Sequence, residues 1–169
     1  MEKFLNIPVF NLLASGTTDS DGSPNELIDS GADFVAAGVQ VGDIVHNSTD
    51  NTYNTVTSVS ANTLGVGGSG VGDAKDYFIH SATISNSQLV SGSGVLLVEQ
   101  ASTSTVTITY EGAAAADVVT LTHTPVASGS EAVRDLIEES IVKGYSSSWT
   151  DVSHDVSVLP NKVIGISIG

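Results

Sequence analysis

Between Leu27 and Ala82, short apolar runs alternate with turn residues at intervals of roughly 8–12 positions. Gly42–Asn47 is predicted as a strand with Ile44 and Val45 on opposite faces, and Thr55–Ser60 as a strand in which Val56 and Val59 alternate with hydroxyl residues. Such spacing is typical of short antiparallel strands that are joined by tight turns. This stretch therefore predicts a compact antiparallel β-module.

The composition of the whole chain agrees with a β-rich protein. Its 169 residues are enough for one domain or two small ones. Charged residues make up only 14%, so the polar surface must consist mostly of Ser, Thr, Asn and Gly, which together with Val and Ile favour strands and turns. A hydrophobic content of 40% is enough to fill a core. We therefore expect a mainly β fold of antiparallel barrel-like or sandwich-like modules, with one amphipathic helix packed on a sheet.

The charge of the chain limits its partners. There are 5 Lys and Arg against 19 Asp and Glu, which gives a formal net charge of −14. Nucleic acids and anionic membranes both require basic surface, so we expect neither as a partner. The chain has no cysteine, which excludes disulfides and thiolate metal sites.

Targeting signals are also missing from the sequence. The segment Met1–Pro8 lacks a basic region followed by a long apolar run, and no apolar stretch approaches roughly 18 residues. We expect synthesis in a cytoplasm, with the site of action set by whatever assembly the protein joins.

Three segments are predicted along the chain. Residues 1–14 are predicted to form an extended apolar arm or edge strand, because Pro8 interrupts any continuous helix. A loop follows over Ser15–Asn25, and residues 15–84 form the first β-module. Residues 85–169 form the second β-module. The two modules show no position-by-position match, so internal duplication is not favoured.

The second module contains the one predicted helix, over about residues 130–143. Its apolar residues recur at helical spacing, and they are Val133, Leu136, Ile137, Ser140 and Ile141. Ser128–Glu131 fits a capping box, and Lys143 and Gly144 suit the last turn and the C-terminal cap. A helix with a single apolar face is expected to lie across a sheet.

Strands are predicted on both sides of this helix. Val95–Val98 reads as a strand covered on both faces, and Thr103–Tyr110 alternates cleanly between valine or isoleucine and threonine. The other predicted strands of this module are Val118–His123, Val156–Leu159 and Val163–Ile168. Ala113–Ala116 is predicted to be a loop or half-turn, and Pro160–Asn161 a turn.

Two motifs resemble ligand sites but are better explained as loops. Gly65–Gly70 matches G-x-G-x-x-G, but a dinucleotide fingerprint needs a helix after it, and a strand is predicted there instead. Thr18–Gly22 resembles the start of a calcium loop, yet the further oxygen ligands of an EF-hand are missing. An ordinary solvated turn is favoured, with weak calcium binding as the alternative.

Catalytic patterns are absent. His46, His80, His123 and His154 are not spaced to put two imidazoles on one face, so we interpret them as polar residues at strand edges and expect no metal site. His154 lies between Ser153 and Asp155, but neighbours in an extended chain point to opposite faces, so they do not form a triad. The pair Glu138–Glu139 is explained by the solvated face of the helix. We expect no enzymatic activity and no cofactor.

Trp149 is the one large aromatic anchor of the sequence. It follows the predicted helix in Tyr145–Trp149. Tryptophan is enriched both in cores and in interfaces, so two alternatives stay open: packing on the core, or packing into a neighbouring subunit.

Several runs resemble virion structural proteins of tailed phages, especially those that infect marine bacteria and cyanobacteria. The resemblance rests on Asp33-Phe34, on Gly38-Val39, on Gly42–Asn47 and on Val56–Val59, followed by Leu64 and Tyr77–Ile79. A second run, from Ile108–Tyr110 through Val133–Leu136, is similar to a segment of cyanophage virion proteins. Together they cover most of residues 27–142. The family carries no catalytic residues.

Within that family, a small, acidic, cysteine-free and β-rich chain resembles a capsid decoration, or cement, protein. The resemblance implies a homotrimer that binds the major capsid protein on the outer surface of the virion. The predicted interface residues are Phe4, Leu5, Ile7, Val9, Phe10 and Trp149, since an apolar arm can add a strand to an exposed sheet edge. The alternatives are a tail, neck or fibre-base component and, less favoured, a carbohydrate-binding host-attachment module.

Overall fold

A computed structural model describes residues 2–19, 23–112, 117–156 and 161–169. The described residues form eleven strands and one helix, which confirms the predicted mainly β fold with a helix packed on sheet. The elements are β1 Phe4–Thr17, β2 Glu26–Ile28, β3 Ile44–Asn47, β4 Thr52–Val59, β5 Thr63–Val66, β6 Asp76–Ser91, β7 Val95–Ser102, β8 Thr105–Tyr110, β9 Asp117–His123, α1 Ala132–Ser146, β10 Ser153–Asp155 and β11 Val163–Ile168.

These strands form two sheets. The seven-stranded sheet has the order β10-β1-β6-β3-β4-β5-β2, and the four-stranded sheet has the order β11-β9-β8-β7. The described pairings are antiparallel except that of β1 with β10, where Phe4 lies beside Ser153. Apart from the long strands β1 and β6, the strands are short, which explains why alternation in the sequence predicted most of their positions.

The chain divides into two compact units, one of residues 10–83 and one of residues 1–9 with 84–169. The predicted module boundary at 84/85 lies one residue from this division. It falls inside β6, because the polar run at Thr83–Ser87 forms part of an exposed strand and is not a linker.

The unit of residues 10–83 has its own apolar core. Leu27, Phe34, Val45, Val56, Leu64 and Ile79 are fully buried in it. A helical turn precedes β3, since the Ala37 N–H donates to the Asp33 carbonyl over 2.9 Å. Gly38 follows with φ of +80°, the left-handed conformation that glycine adopts without strain.

The second unit packs α1 against its own strands. The buried core contains Leu5, Ile7, Val106, Ile108, Leu121 and Ile137. Val133, Ile137 and Ser140 of the predicted stripe are buried, and Leu136 and Ile141 are half-buried against the same core. The apolar face of the predicted helix is therefore confirmed.

The ends of the helix differ from the prediction. Glu131 occupies the N-cap position without a side-chain capping bond, so the predicted Ser128–Glu131 capping box does not form. Gly144 lies within the helix and is buried, and Ser147 is the C-cap. The helix extends past Lys143 to Ser146, and a Cβ at Gly144 would lie 3.4 Å from the Cβ of His154, so a small residue suits the packing there.

Residues 1–14 are expected to form an extended arm or an edge strand, and the described part of this segment forms neither a separate arm nor an edge strand. The segment 4–17 is a strand inside the seven-stranded sheet, between β10 and β6. Leu5, Ile7 and Phe10 are buried within the chain itself, and Val9 packs against the core of the second unit. The prediction that the segment is extended holds, but its apolar side chains are already used for folding.

Several predictions fall outside the described residues. These are the loop at Ala113–Ala116, most of the strand at Val156–Leu159, Pro160 of the turn at Pro160–Asn161 and part of the calcium-like segment Thr18–Gly22.

Candidate functional site

One wall of the candidate site is β7, the edge strand of the four-stranded sheet. Val95 pairs with Tyr110 and Leu97 with Thr109, so Leu96 is an extra residue that forms a β-bulge. Val98 faces the core, whereas Leu96 and Leu97 are 64% and 53% exposed. The prediction that this strand is covered on both faces is therefore wrong. A run of apolar residues in the sequence does not show whether its strand lies at the centre or at the edge of a sheet.

The other wall is α1. Glu138, Ile141, Val142 and Tyr145 recur at i, i+3, i+4 and i+7, so they form a second stripe beside the buried one. Val142 is 64% exposed and Tyr145 is half exposed. Together with Gly92 and Gly94–Val98, these residues line a groove of about 460 Å³, which we call the α1–β7 groove.

The groove is fixed in shape by polar contacts at its rim. The Tyr145 hydroxyl lies 3.0 Å from the Gly92 carbonyl, to which it donates, and 2.9 Å from the Ser93 hydroxyl. The Tyr110 hydroxyl donates to the Ser91 carbonyl over 2.5 Å, and burial raises the pKa of Tyr110 to about 12. The turn between β6 and β7 is thus held by two tyrosines from different elements.

Gln100 of β7 positions the start of α1. Its Oε1 accepts a hydrogen bond from the Arg134 backbone N–H at 3.4 Å, which supplies the cap that the predicted capping box does not. Its amide nitrogen donates to Nε2 of His123 at 2.8 Å and to the Ser102 carbonyl at 2.7 Å. This contact joins residues far apart in sequence, so no local pattern could have revealed it.

His123 completes this network. Its Nδ1 lies 2.8 Å from the Thr124 carbonyl, so Nδ1 carries the hydrogen and Nε2 is the acceptor. Burial lowers the pKa of His123, although the backbone contact with Thr124 opposes the shift. The neutral ring fits this site because both nitrogens are satisfied.

Past the end of α1, a buried lysine holds the chain in place. Lys3 Nζ donates to the Ser148 carbonyl at 2.7 Å, to the Ser147 hydroxyl at 3.1 Å and to the Asp151 carbonyl. Lys3 is itself buried. We call residues Ser147–Val152 the Trp149 loop. The ammonium group stabilises the carbonyls that follow a helix C-terminus.

The Trp149 loop presents the only tryptophan of the chain to solvent. Trp149 is 75% exposed, so packing on the core, one of the two predicted alternatives, is wrong. Val152 of the same loop is also exposed. Of the six predicted interface residues, Trp149 is exposed, Phe4 and Val9 are half-buried, and Leu5, Ile7 and Phe10 are buried.

The prediction that the histidines lie at strand edges holds for His154, which is half-buried on the edge strand β10, and is wrong for the other three. His46, His80 and His123 are buried, because β3, β6 and β9 each lie between two other strands. His46 stacks on Tyr53 with ring centroids 4.3 Å apart, and its Nε2 lies 3.3 Å from Asn51 Oδ1. Burial lowers the pKa of His46 to about 4, and the nearby His80 adds to that shift. His46 and His80 are buried with their rings packed against Tyr53 and Phe10. Hydrophobicity patterns could not predict this burial, because they count histidine as polar.

The glycine-rich motif and the glutamate pair singled out in the sequence do not form a common site. Gly65–Gly70 is followed by β6 and not by a helix, as expected for a hairpin loop. Glu138 and Glu139 are exposed on α1, and Glu139 pairs with Lys143 at 2.8 Å. In the ranges that the structure describes, no three His, Asp or Glu side chains are grouped so as to hold a metal ion.

Comparisons with known proteins identify no relative: no family model, no curated protein and no solved structure matches this chain. Within the described ranges, no helix has the length and apolar character to cross a membrane.

Proposed function

We propose that this chain is a structural protein of a tailed-phage virion and, within that class, a capsid decoration protein that binds the major capsid protein on the outer surface of the shell. The observation that carries the proposal is the exposed apolar surface of the second unit. On a chain with a net charge of −14, Trp149, Val142, Leu96 and Leu97 present uncharged apolar area to solvent. Such area on an acidic surface marks a place for a protein partner.

The mechanism needs no bond to be made or broken. A protein that binds only the assembled shell stabilises that shell by mass action, and the exposed apolar side chains supply the binding free energy. Exposed apolar side chains outside the α1–β7 groove, such as Leu89 and Ile168, are available for these contacts. We do not assign these contacts to a separate arm at residues 4–14, because Leu5, Ile7 and Phe10 belong to the folded chain.

The test is the copy number of the chain in purified particles of the phage that encodes it. Quantitative mass spectrometry against the major capsid protein should give a ratio that matches the capsomers of the shell. Particles assembled without this chain should open at a lower temperature. Only about six or twelve copies per particle would instead indicate a tail or neck component. Absence of the chain from the particles would reject the virion role.

A glycan array addresses the carbohydrate-binding alternative. The proposal expects no reproducible binding, because the exposed aromatic residues in the described part are few. Saturable binding to a defined glycan would favour host attachment instead.

A further inference from the structure

Trp149 is held ready for a partner. Its loop is tied by Lys3 to the Ser148 and Asp151 carbonyls, so the backbone is fixed while the indole is 75% exposed. An aromatic side chain on a fixed backbone loses little conformational entropy when it binds, and tryptophan is the residue most enriched at binding hot spots. The loop is therefore suited to insert its indole into an apolar recess.

The same unit carries a recess of suitable size. The α1–β7 groove has a volume of about 460 Å³, within the roughly 300–1,000 Å³ typical of ligand pockets. Leu96 and Leu97 form one wall, and Ile141, Val142 and Tyr145 the other. Because Tyr145 is anchored at its hydroxyl, the recess exists before anything binds.

The charges around the groove favour a neutral occupant. Residues Gly92–Val98 include no charged side chain. Glu138 is the one acidic residue in the lining, and it already lies 3.9 Å from Arg134. Arg134 has closer partners in Glu131 at 2.6 Å and Asp135 at 2.7 Å, so a basic segment would find only the carboxylate of Glu138 here, whereas an indole needs none. Burying an unpaired charge in such a recess would be costly.

The chain itself supplies a matching occupant. Trp149 does not line the groove of its own chain and remains exposed there, so both surfaces are free for contact with another molecule. We infer that Trp149 of one copy inserts into the α1–β7 groove of a second copy, so that the chain self-associates head to tail. This inference specifies how copies contact one another, and it rests on the structural role proposed above.

The contact joins two different surfaces, so it closes either as a twofold dimer, in which each Trp149 enters the groove of the other copy, or as a ring of three or more copies. The contact is therefore compatible with the trimer that the sequence resemblance implies. Each copy carries a formal net charge of −14, so two copies repel each other. Salt screens this repulsion, so association should strengthen as the salt concentration rises.

The single tryptophan makes the contact directly measurable. We would follow Trp149 emission and sedimentation of the full chain over a concentration series, at about 0.15 M and about 1 M salt. Burial of the indole should shift its emission to shorter wavelength as oligomers form. Both Trp149→Ala and Val142→Lys should weaken association by about tenfold or more.

Val41→Lys is the matched control. Val41 lies in the other unit and is 67% exposed, close to the value for Val142, so its substitution should leave association unchanged. Leu97→Lys changes the opposite wall of the groove and should act like Val142→Lys. Circular dichroism and thermal unfolding would confirm that each variant is folded.

Mixing the variants tests the geometry. Trp149→Ala keeps an intact groove, and Val142→Lys keeps an intact Trp149, so a mixture can form one contact and stop at a dimer. Because only the Val142→Lys chain has a tryptophan, its emission should shift when the Trp149→Ala chain is added. A mixture that stays monomeric would overturn the head-to-tail contact.

Two other results would overturn the inference: a wild-type chain that stays monomeric at high concentration and high salt, or association that survives both groove variants. Neither result bears on the copy number in particles. A chain that is present in the shell but monomeric in solution would refute this contact alone, and a self-associating chain that is absent from particles would refute the virion role alone.

Discussion

The side-chain amide of Gln100 lies 2.8 Å from Nε2 of His123, and the other end of the same amide accepts the backbone N–H of Arg134 at the start of α1. One residue of an edge strand thus caps the helix and satisfies a buried imidazole. The position of α1 beside β7, and with it the shape of the α1–β7 groove, depends on this contact.

Replacing Gln100 by Ala should therefore destabilise the second unit. The change leaves the Arg134 N–H without its cap and the buried His123 Nε2 without its donor, for which we expect a loss of about 1–3 kcal/mol in the free energy of unfolding. Urea unfolding measures this loss. Gln40→Ala is the control, because Gln40 is exposed and its substitution should change the stability by no more than about 0.5 kcal/mol.

The buried histidines predict loss of stability in acid. The pKa of His46 is lowered to about 4 and that of His123 is also lowered, so the unfolded chain binds more protons than the native chain below the ordinary value of about 6.5. Their contribution is therefore complete above that pH and is lost as the pH falls below it, for His46 down to about 4. For His46 the loss amounts to about 3 kcal/mol.

Carboxylates also titrate in this range, so the difference between wild type and His46→Phe isolates the effect of His46. Phe keeps a flat ring beside Tyr53 but cannot take up a proton. We expect the unfolding free energy of the variant to fall less steeply between pH 6.5 and 4.5. Parallel pH profiles of the two proteins would contradict the assignment to His46.

Lys3→Met tests the anchoring of the Trp149 loop. Methionine keeps much of the buried aliphatic volume but gives up the ammonium contacts with the Ser148 and Asp151 carbonyls. We expect a loss of about 1–3 kcal/mol and faster depolarisation of Trp149 fluorescence, because the loop becomes more mobile. Lys143→Met, which removes an exposed ion pair with Glu139, should cost no more than about 0.5 kcal/mol.

A pair of leucines separates the core from the candidate interface. Leu121 is fully buried, so Leu121→Ala should cost about 2–5 kcal/mol through lost burial and a residual cavity. Leu97→Ala removes the same atoms from an exposed position and should change the stability by no more than about 0.5 kcal/mol. An equal loss for both variants would place Leu97 in the core of its own unit.

The pattern of apolar residues allowed most elements to be predicted. The alternation in β8 and β9 and the helical spacing of Val133, Ile137 and Ser140 correspond to observed elements, because each reflects the repeat of a local backbone conformation. Helix ends were predicted less well. The cap of α1 comes from Gln100, a residue that lies 34 positions away from Arg134.

The candidate site itself could not be predicted in this way. Val95–Val98 has the composition of a buried strand, and only the strand order reveals that it lies at an edge and leaves Leu96 and Leu97 exposed. Leu5 and Ile7 show the opposite outcome. They were predicted to lie in an interface, but β1 pairs with β10 and β6, and both side chains are buried within the chain. Burial depends on which strands become neighbours, and neighbours in a sheet are distant in sequence.

The sequence by itself thus determined the β-rich class, the acidic surface, the lack of disulfides and the apolar face of one helix. These properties follow from composition and from short-range periodicity. Only the tertiary structure decided that Trp149 is exposed while three histidines are buried, and that β7 and α1 form a groove. Those outcomes depend on which distant strands pair with one another. The local sequence around an exposed position can be the same as that around a buried one, so it does not determine burial.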